Sequence, residues 1–207
     1  MLVFIGIKLK AQIHKDPPIP VELGVGNNRF GLQFLMDKRF TPASRFDFLT
    51  ITSFVSSYNN DLNDLDFISN SRIGYEIYKG LALSVGLSVN VKTGLDPVAG
   101  LAYTFANKQI LFVLSPSVSL SSDYNFEGLS VMECKPAITK NIRLYTRFQA
   151  YYNHNTRENF HERSYMQLRA GLGVQRYQFG LAANFDYYGR IKILKDNYGL
   201  FLRYNFD

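Results

Sequence analysis

Histidine side chains are the first candidates for chemistry in this sequence, because imidazole can act as a base or as a metal ligand. His14 stands near the N-terminus, whereas His154 and His161 lie in a polar stretch, residues 153–163. Their spacing fits no standard metal motif, and we interpret this stretch as a solvated, charged loop. Ser164 follows His161 by three residues, so in an extended strand the two side chains point to opposite faces. We therefore expect no serine–histidine pair, no catalytic residue, no metal and no cofactor.

Arginines form the more informative set of charged residues. Several of them share a face with a carboxylate or with each other if the surrounding segments are extended, since residues an even number of positions apart lie on one side of a strand. The candidate inward-facing residues are Arg29, Arg72, Glu76, Arg143, Arg147, Arg169, Asp186 and Arg203, with Asp37 as a further partner. Two interpretations stay open: an ion-pair network that fills an interior, or a water-filled pore whose arginines favour anions.

Composition restricts the elements that could position these residues. The 207 residues include 15% aromatic and 46% hydrophobic side chains, but the hydrophobic ones do not form a run long enough for a membrane-spanning helix. The net charge of +6 comes from scattered lysines and arginines, which is not the clustered pattern of a nucleic-acid-binding protein. The single cysteine, Cys134, excludes an internal disulfide.

From Arg29 onward, apolar and polar residues alternate over segments separated by turn residues. In residues 81–91, leucines and valines occupy one face, while alanine, serine, glycine and asparagine occupy the other. Residues 142–152, 166–174, 179–187 and 198–206 repeat the pattern. A soluble sandwich would bury the apolar set, whereas a transmembrane barrel would expose it to lipid.

The connections between these segments favour the barrel. Short turns near residues 78–80, 106–108, 139–141 and 176–177 alternate with longer polar stretches at residues 59–66, 92–97, 121–125, 153–163 and 189–197. Membrane barrels have tight turns on the periplasmic rim and loops on the other. With both termini periplasmic the strand number must be even, and residues 20–26 supply the strand otherwise missing at the start. We predict an all-β, antiparallel, up-and-down transmembrane β-barrel of about 12 strands, with 10 as the alternative, because the segments around Pro116 and at residues 126–137 are the least regular.

The end of the chain carries a more specific pattern. Residues 199–206 read Gly-Leu-Phe-Leu-Arg-Tyr-Asn-Phe, an amphipathic strand in which Tyr204 and Phe206 lie on the apolar face. This segment resembles the C-terminal strand of bacterial outer-membrane β-barrel proteins, although in that family the aromatic residue is usually last and here Asp207 follows. The resemblance implies export and insertion by the barrel-assembly machinery, with Tyr204 and Phe206 as the assembly signal. It implies nothing about a substrate.

The N-terminus suggests the same destination. An apolar run at residues 2–7 is followed by an Ala-Gln pair at residues 11–12, as in exported proteins of the Bacteroidota. We therefore expect residues 1–12 to be the remainder of a signal peptide and residues 13–207 to form one barrel domain in the outer membrane. Its expected partners are outer-membrane lipid and, if it conducts, small solutes. Three functions remain open. The first is a channel for small solutes, which favours anions if the arginines line it. The second is a structural or adhesive barrel whose lumen is filled by an ion-pair network, and the third, less favoured, is a barrel-embedded hydrolase.

Overall fold

The structure is a computed structural model that describes residues 16–59, 64–91, 94–122 and 124–206. The signal-peptide prediction for residues 1–12 lies outside these residues. Within them, the chain forms twelve strands: β1 Ile19–Gly26, β2 Arg29–Arg39, β3 Phe46–Ser57, β4 Asp66–Tyr78, β5 Leu81–Asn90, β6 Gly94–Ala106, β7 Ile110–Ser119, β8 Phe126–Cys134, β9 Ile142–Asn155, β10 Phe160–Val174, β11 Tyr177–Tyr188 and β12 Ile193–Phe206. The described part of the chain contains no helix that is long and apolar enough to cross a membrane.

All twelve strands join one closed sheet. Each strand pairs antiparallel with its sequence neighbours, and β1 closes the ring against β12 with Ile19 opposite Phe206. Closure leaves no free sheet edge, so every strand can satisfy its backbone hydrogen bonds within the sheet. The predicted antiparallel up-and-down barrel is confirmed, and its strand number is twelve.

The ten-strand alternative is wrong because both irregular segments are strands. Pro116 lies inside β7, directly opposite Gly128 of β8, on the outward face. A proline cannot donate a backbone hydrogen bond, which weakens the sequence signal for a strand but does not prevent pairing through its carbonyl and its neighbours. Of residues 126–137, the first nine form β8.

Strand alternation gives the barrel two different surfaces. The outward positions carry aliphatic and aromatic side chains that are widely exposed, for example Leu83, Val85, Leu181 and Leu200. An exposed apolar band around a closed barrel fits a hydrocarbon environment rather than water. The inward positions carry the polar and charged side chains, most of which are buried.

The predicted alternation of short and long connections holds only in part: the turns at 79–80, 107–109 and 175–176 are short, as predicted, but other connections depart from it. On the rim with both termini, which we call the terminal rim, the connections include residues 40–45 and 135–141 as well as two-residue turns. On the opposite rim, the distal rim, β9 continues to Asn155 and β10 begins at Phe160, so most of residues 153–163 is strand rather than loop. The cause is pairing of polar groups on the inner face: Asn125, Asn153 and Asn155 donate to Glu162 at 3.1, 3.2 and 3.3 Å. Polar side chains here extend the strands instead of ending them.

Candidate functional site

The barrel interior brings charges from strands far apart in sequence into contact. Glu22 of β1 accepts hydrogen bonds from Arg147 of β9 and Arg169 of β10, at 2.9 and 2.8 Å. Arg147 and Arg169 lie directly opposite each other in the β9–β10 register, so two guanidiniums share one carboxylate. All three side chains are at most 5% exposed. The carboxylate offsets the repulsion between the two cations.

A second carboxylate, Glu133 of β8, lies nearby in the interior. It pairs with Arg203 of β12, accepts a hydrogen bond from the Tyr145 hydroxyl at 3.2 Å, and pairs with Lys135 at 2.9 Å. Arg203 also donates to the Tyr145 hydroxyl, and its guanidinium lies 5.3 Å from the centroid of that ring. We call Glu22, Glu133, Arg147, Arg169 and Arg203 the ionic region. Because each of its charges has a partner of opposite sign, the region satisfies the usual condition for burying charge.

Arg72 of β4 lies elsewhere in the interior and contacts the β7–β8 side. It donates to the Oγ atoms of Ser115 and Ser117 at 2.5 and 2.8 Å. Glu127 lies 3.8 Å from Arg72 and accepts a hydrogen bond from Ser88 at 2.9 Å. This contact therefore joins β4 and β5 to β7 and β8 through the interior.

At the distal rim a third group of charges spans the barrel. Arg163 of β10 pairs with Asp186 of β11 at 3.1 Å and with Asp66 of β4 at 2.7 Å. Lys195 pairs with Asp64, which lies just before β4 and 3.5 Å from Arg29. The hydrogen bond from Lys195, together with the positive charges of Lys195 and Arg29, lowers the pKa of Asp64 below its usual value despite slight desolvation. These contacts tie Asp64 and the start of β4 to strands across the distal opening.

The terminal rim holds the remaining predicted residues. Glu76 pairs with Arg39, an arginine that the sequence reasoning did not select. Arg143 lies on the inward face by alternation, but its side chain is exposed at the rim and donates to the Lys108 carbonyl at 3.1 Å. The expectation that Arg143 belongs to an interior network is wrong, because the strand end carries it beyond the buried part of the barrel. Tyr204 and Phe206 point outward, with ring centroids 4.7 Å apart.

Much of the interior is apolar, although the alternation of the strands predicts a polar inner face. A cluster of ten buried side chains lies against the inner faces of β2–β4 and β7–β10: Leu35, Leu49, Ile51, Ile68, Leu111, Val113, Leu129, Val131, Tyr151 and Tyr165. We call this set the apolar cluster. Strands that contribute to it have apolar residues on both faces, so alternation of hydrophobicity is weak there. The same ambiguity hid the inner carboxylates Glu22, Glu127 and Glu133, each isolated in an apolar segment.

The expectation that His161 and Ser164 point to opposite faces is also wrong. The β9–β10 register shifts by one residue between His161 and Arg163, a β-bulge in which Glu162 and Arg163 both point inward. His161 and Ser164 consequently share the outward face, and His161 Nε2 lies 2.9 Å from Ser164 Oγ. His161 Nδ1 lies 3.0 Å from the Gly189 carbonyl oxygen. A bulge of this kind cannot be read from residue spacing alone.

Comparison with solved structures identifies the same architecture in known proteins. The NanC porin matches with a TM-score of 0.52 at 9% sequence identity, over 91% of this chain and 99% of that chain. The KdgM porin matches with a TM-score of 0.49 at 9% identity, over 91% and 99% of the two chains. No protein-family model matches, and no curated protein is detectably related in sequence. The fold is that of porin-like outer-membrane β-barrels, and the apolar outer band agrees with a place in that membrane.

Proposed function

We propose that this chain is an integral outer-membrane barrel whose interior is closed by its own side chains, with a structural or adhesive role. One observation carries the proposal: charged side chains in the middle of the interior are almost inaccessible to water. Arg203 is 2% exposed, Arg147 4% and Glu133 0%. The walls of a water-filled pore would be open to solvent. The cross-barrel pairs and the apolar cluster together fill the space instead.

The orientation follows from the even strand number. With both termini in the periplasm, the terminal rim faces the periplasm and the distal rim faces the outside. The outward aromatic residues Tyr204 and Phe206 would then meet the barrel-assembly machinery at the periplasmic side, as the C-terminal resemblance implies. Alanine at Phe206 should slow insertion into vesicles that contain that machinery more than alanine at Phe105, an outward aromatic residue on the same rim.

Planar-bilayer conductance of the refolded protein tests the closed interior. We expect no stable open-channel current from folded barrels, whose insertion is verified by heat-modifiable migration in gel electrophoresis. A steady current of uniform step size would contradict the proposal, because it requires a continuous water path through the interior.

A second candidate, a narrow channel for small solutes, is favoured by the side of the interior at β1, β2, β11 and β12. A cavity of about 30 Å³ lies there, lined by Gly24, Gly31 and Gly199 and by both polar and apolar side chains. Both amide atoms of Gln33 and the Oε2 atom of Glu22 lie in this buried region without a hydrogen-bond partner among the described residues. Such groups can bind water, for which a cavity of this size has room. If solutes pass, the path would run through this water-sized gap.

A glycine substitution distinguishes the two candidates. A Cβ atom at Gly24 would come no closer than 3.9 Å to another atom, so Gly24→Ala should fold and place its methyl group in the cavity. Gly128→Ala, on the outward face with a nearest contact of 3.8 Å, is the matched control. Small currents in the wild type that persist in Gly128→Ala and fall in Gly24→Ala would favour the narrow channel.

An anion preference was predicted from the arginines and stays a prediction. The carboxylates Glu22, Glu127 and Glu133 offset those charges, so the described interior has no large excess of either sign. The reversal potential in a salt gradient measures the preference of any current that is found. A reversal potential close to the equilibrium potential of the anion would indicate anion preference. Loss of that preference in Arg147→Gln would support selectivity by the inner arginines.

A further inference from the structure

The His161–Ser164 pair has the polarity of a nucleophile and its base. The Gly189 carbonyl can only accept a hydrogen bond, so the Nδ1 atom of neutral His161 carries the proton that it donates there. The Nε2 atom then carries the lone pair and accepts the hydrogen bond from the Ser164 hydroxyl, at 2.9 Å. This is the arrangement in which a histidine takes the proton of an attacking serine. The Gly189 carbonyl fixes the orientation of the ring.

The pair lies on the lipid-facing surface at the distal end of the barrel. In the register, Ser164 stands between Tyr152 of β9 and Tyr187 of β11, and the Tyr152 ring lies 5.7 Å from that of His161. Tyrosines near strand ends lie at the level of lipid headgroups. His161 is buried, with 6% of its surface exposed, whereas Ser164 is half-buried on the lipid-facing side. A membrane lipid places its ester groups at this depth, next to the boundary between headgroups and acyl chains.

A groove in the outer surface lies on the same strand, toward the middle of the membrane. It has a volume of about 870 Å³ and crosses the outward faces of β8–β12. Its floor is formed by the small residues Thr146, Ala170 and Ala183, and its walls include Phe148 and Leu181. Leu168 in this groove is four residues from Ser164 along β10, roughly 13 Å at about 3.3 Å per residue. One leaflet of hydrocarbon is about 15 Å deep, so an acyl chain starting at Ser164 would reach the groove.

We propose that Ser164 and His161 cleave an acyl ester of an outer-leaflet lipid whose acyl chain occupies this groove. Ser164 Oγ bonds to the ester carbonyl carbon, and its proton passes to His161 Nε2. The carbon–oxygen bond to the alcohol breaks, and the alcohol leaves with the proton from His161. Water then attacks the acyl-serine and gives a proton to His161, which returns it to Ser164 Oγ as the carboxylic acid departs. The net reaction consumes one ester and one water and yields one acid and one alcohol. It does not depend on whether the interior conducts.

The nucleophile is tested with a fluorophosphonate probe and with lipid vesicles. In folded wild-type protein the probe should label Ser164, as identified by mass spectrometry, and fatty acid should be released from the vesicles. Ser164→Ala and His161→Asn should each lower the release by about 100-fold or more, the usual contribution of a nucleophile and its base. Ser130→Ala, at another outward-facing serine on β8, should leave it unchanged. Folded wild-type protein that neither reacts with the probe nor releases fatty acid would overturn the proposal, as would full activity of Ser164→Ala.

Two further comparisons identify the substrate. Separate vesicles of diacyl phosphatidylethanolamine and of lipid A distinguish the two sources of acyl ester, and release from either supports the proposal. Ala170→Phe fills the groove floor and should slow cleavage of a long-chain nitrophenyl ester while leaving a butyrate ester unaffected. Ala99→Phe on β6, an outward position away from the groove, is the control. Equal effects of Ala170→Phe on both esters would show that the acyl chain does not bind in the groove.

Discussion

The interior of this barrel contains two regions that are equally buried but chemically opposite. In the ionic region, Glu22 holds Arg147 and Arg169, and Glu133 holds Arg203. In the apolar cluster, side chains such as Leu35, Val113 and Val131 pack at 0–4% exposure. The apolar cluster stabilises the barrel by removing apolar area from water, so a substitution there lowers the free energy of unfolding in proportion to the atoms it deletes. The ionic region depends on completeness, because one missing partner leaves a buried charge uncompensated.

The largest expected effect is therefore the loss of a shared carboxylate. Glu22→Ala leaves Arg147 and Arg169 facing each other without their common partner, and should lower the free energy of unfolding by about 3–5 kcal/mol. Urea unfolding in lipid vesicles measures the change. Glu158→Ala removes the carboxylate of an exposed pair with Arg190, whose side chains are 65% and 60% exposed, and is the matched control. If both variants lose the same stability, the ionic region is not a closed network.

A charge introduced on the outer surface tests whether that surface faces lipid. Val85 lies near the middle of β5 on the lipid-facing side and is 60% exposed. Val85→Arg should destabilise the barrel by about 2–4 kcal/mol, because the guanidinium would lie near the bilayer midplane. Tyr78→Arg, at an outward position on a strand end, should cost at most about 1 kcal/mol. Equal costs for both variants would mean that Val85 does not face lipid.

Trimming the apolar cluster should have a smaller effect. Ile51→Val removes one methyl group from a side chain of 3% exposure, and should lower the free energy of unfolding by about 0.5–1.5 kcal/mol. Ile191→Val, at a residue of 82% exposure in the distal turn, should leave it unchanged. A loss as large as that of Glu22→Ala would show that the two regions do not differ in the way their burial and chemistry suggest.

The smallest effect concerns acid. The pKa of Asp64 is lowered by the hydrogen bond from Lys195, so its contribution to stability is complete above the unfolded pKa of about 3.8 and is lost as pH falls through the lower folded value. Unfolding midpoints between about pH 2 and pH 6 should fall more steeply in the wild type than in Asp64→Asn. Asp196→Asn, on an outward position of β12, controls for a general charge effect. Parallel pH profiles would show that the Asp64–Lys195 pair does not stabilise the distal rim.

The sequence predicted the architecture because period-two alternation is a local property. In residues 81–91 or 166–174, each outward side chain is apolar and each inward one is small or polar, so the two faces are visible without any tertiary contact. The twelve strands and the shared inward face of Arg147 and Arg169 follow from that pattern. Alternation also made the polar stretch 153–163 look like a loop, because hydrophobicity does not report polar side chains that pair across strands.

The partners of the buried charges were decided by the tertiary structure alone. Glu22 and Arg147 are 125 residues apart, and only closure of β1 against β12 brings their strands to the same interior. The register shift after His161 is likewise a property of how β10 pairs with β9, and it reversed the predicted relation of His161 and Ser164. Alternation fixes which face a side chain occupies. Which side chain it meets depends on barrel closure, strand register and bulges, and these are set by contacts between segments that are distant in the chain.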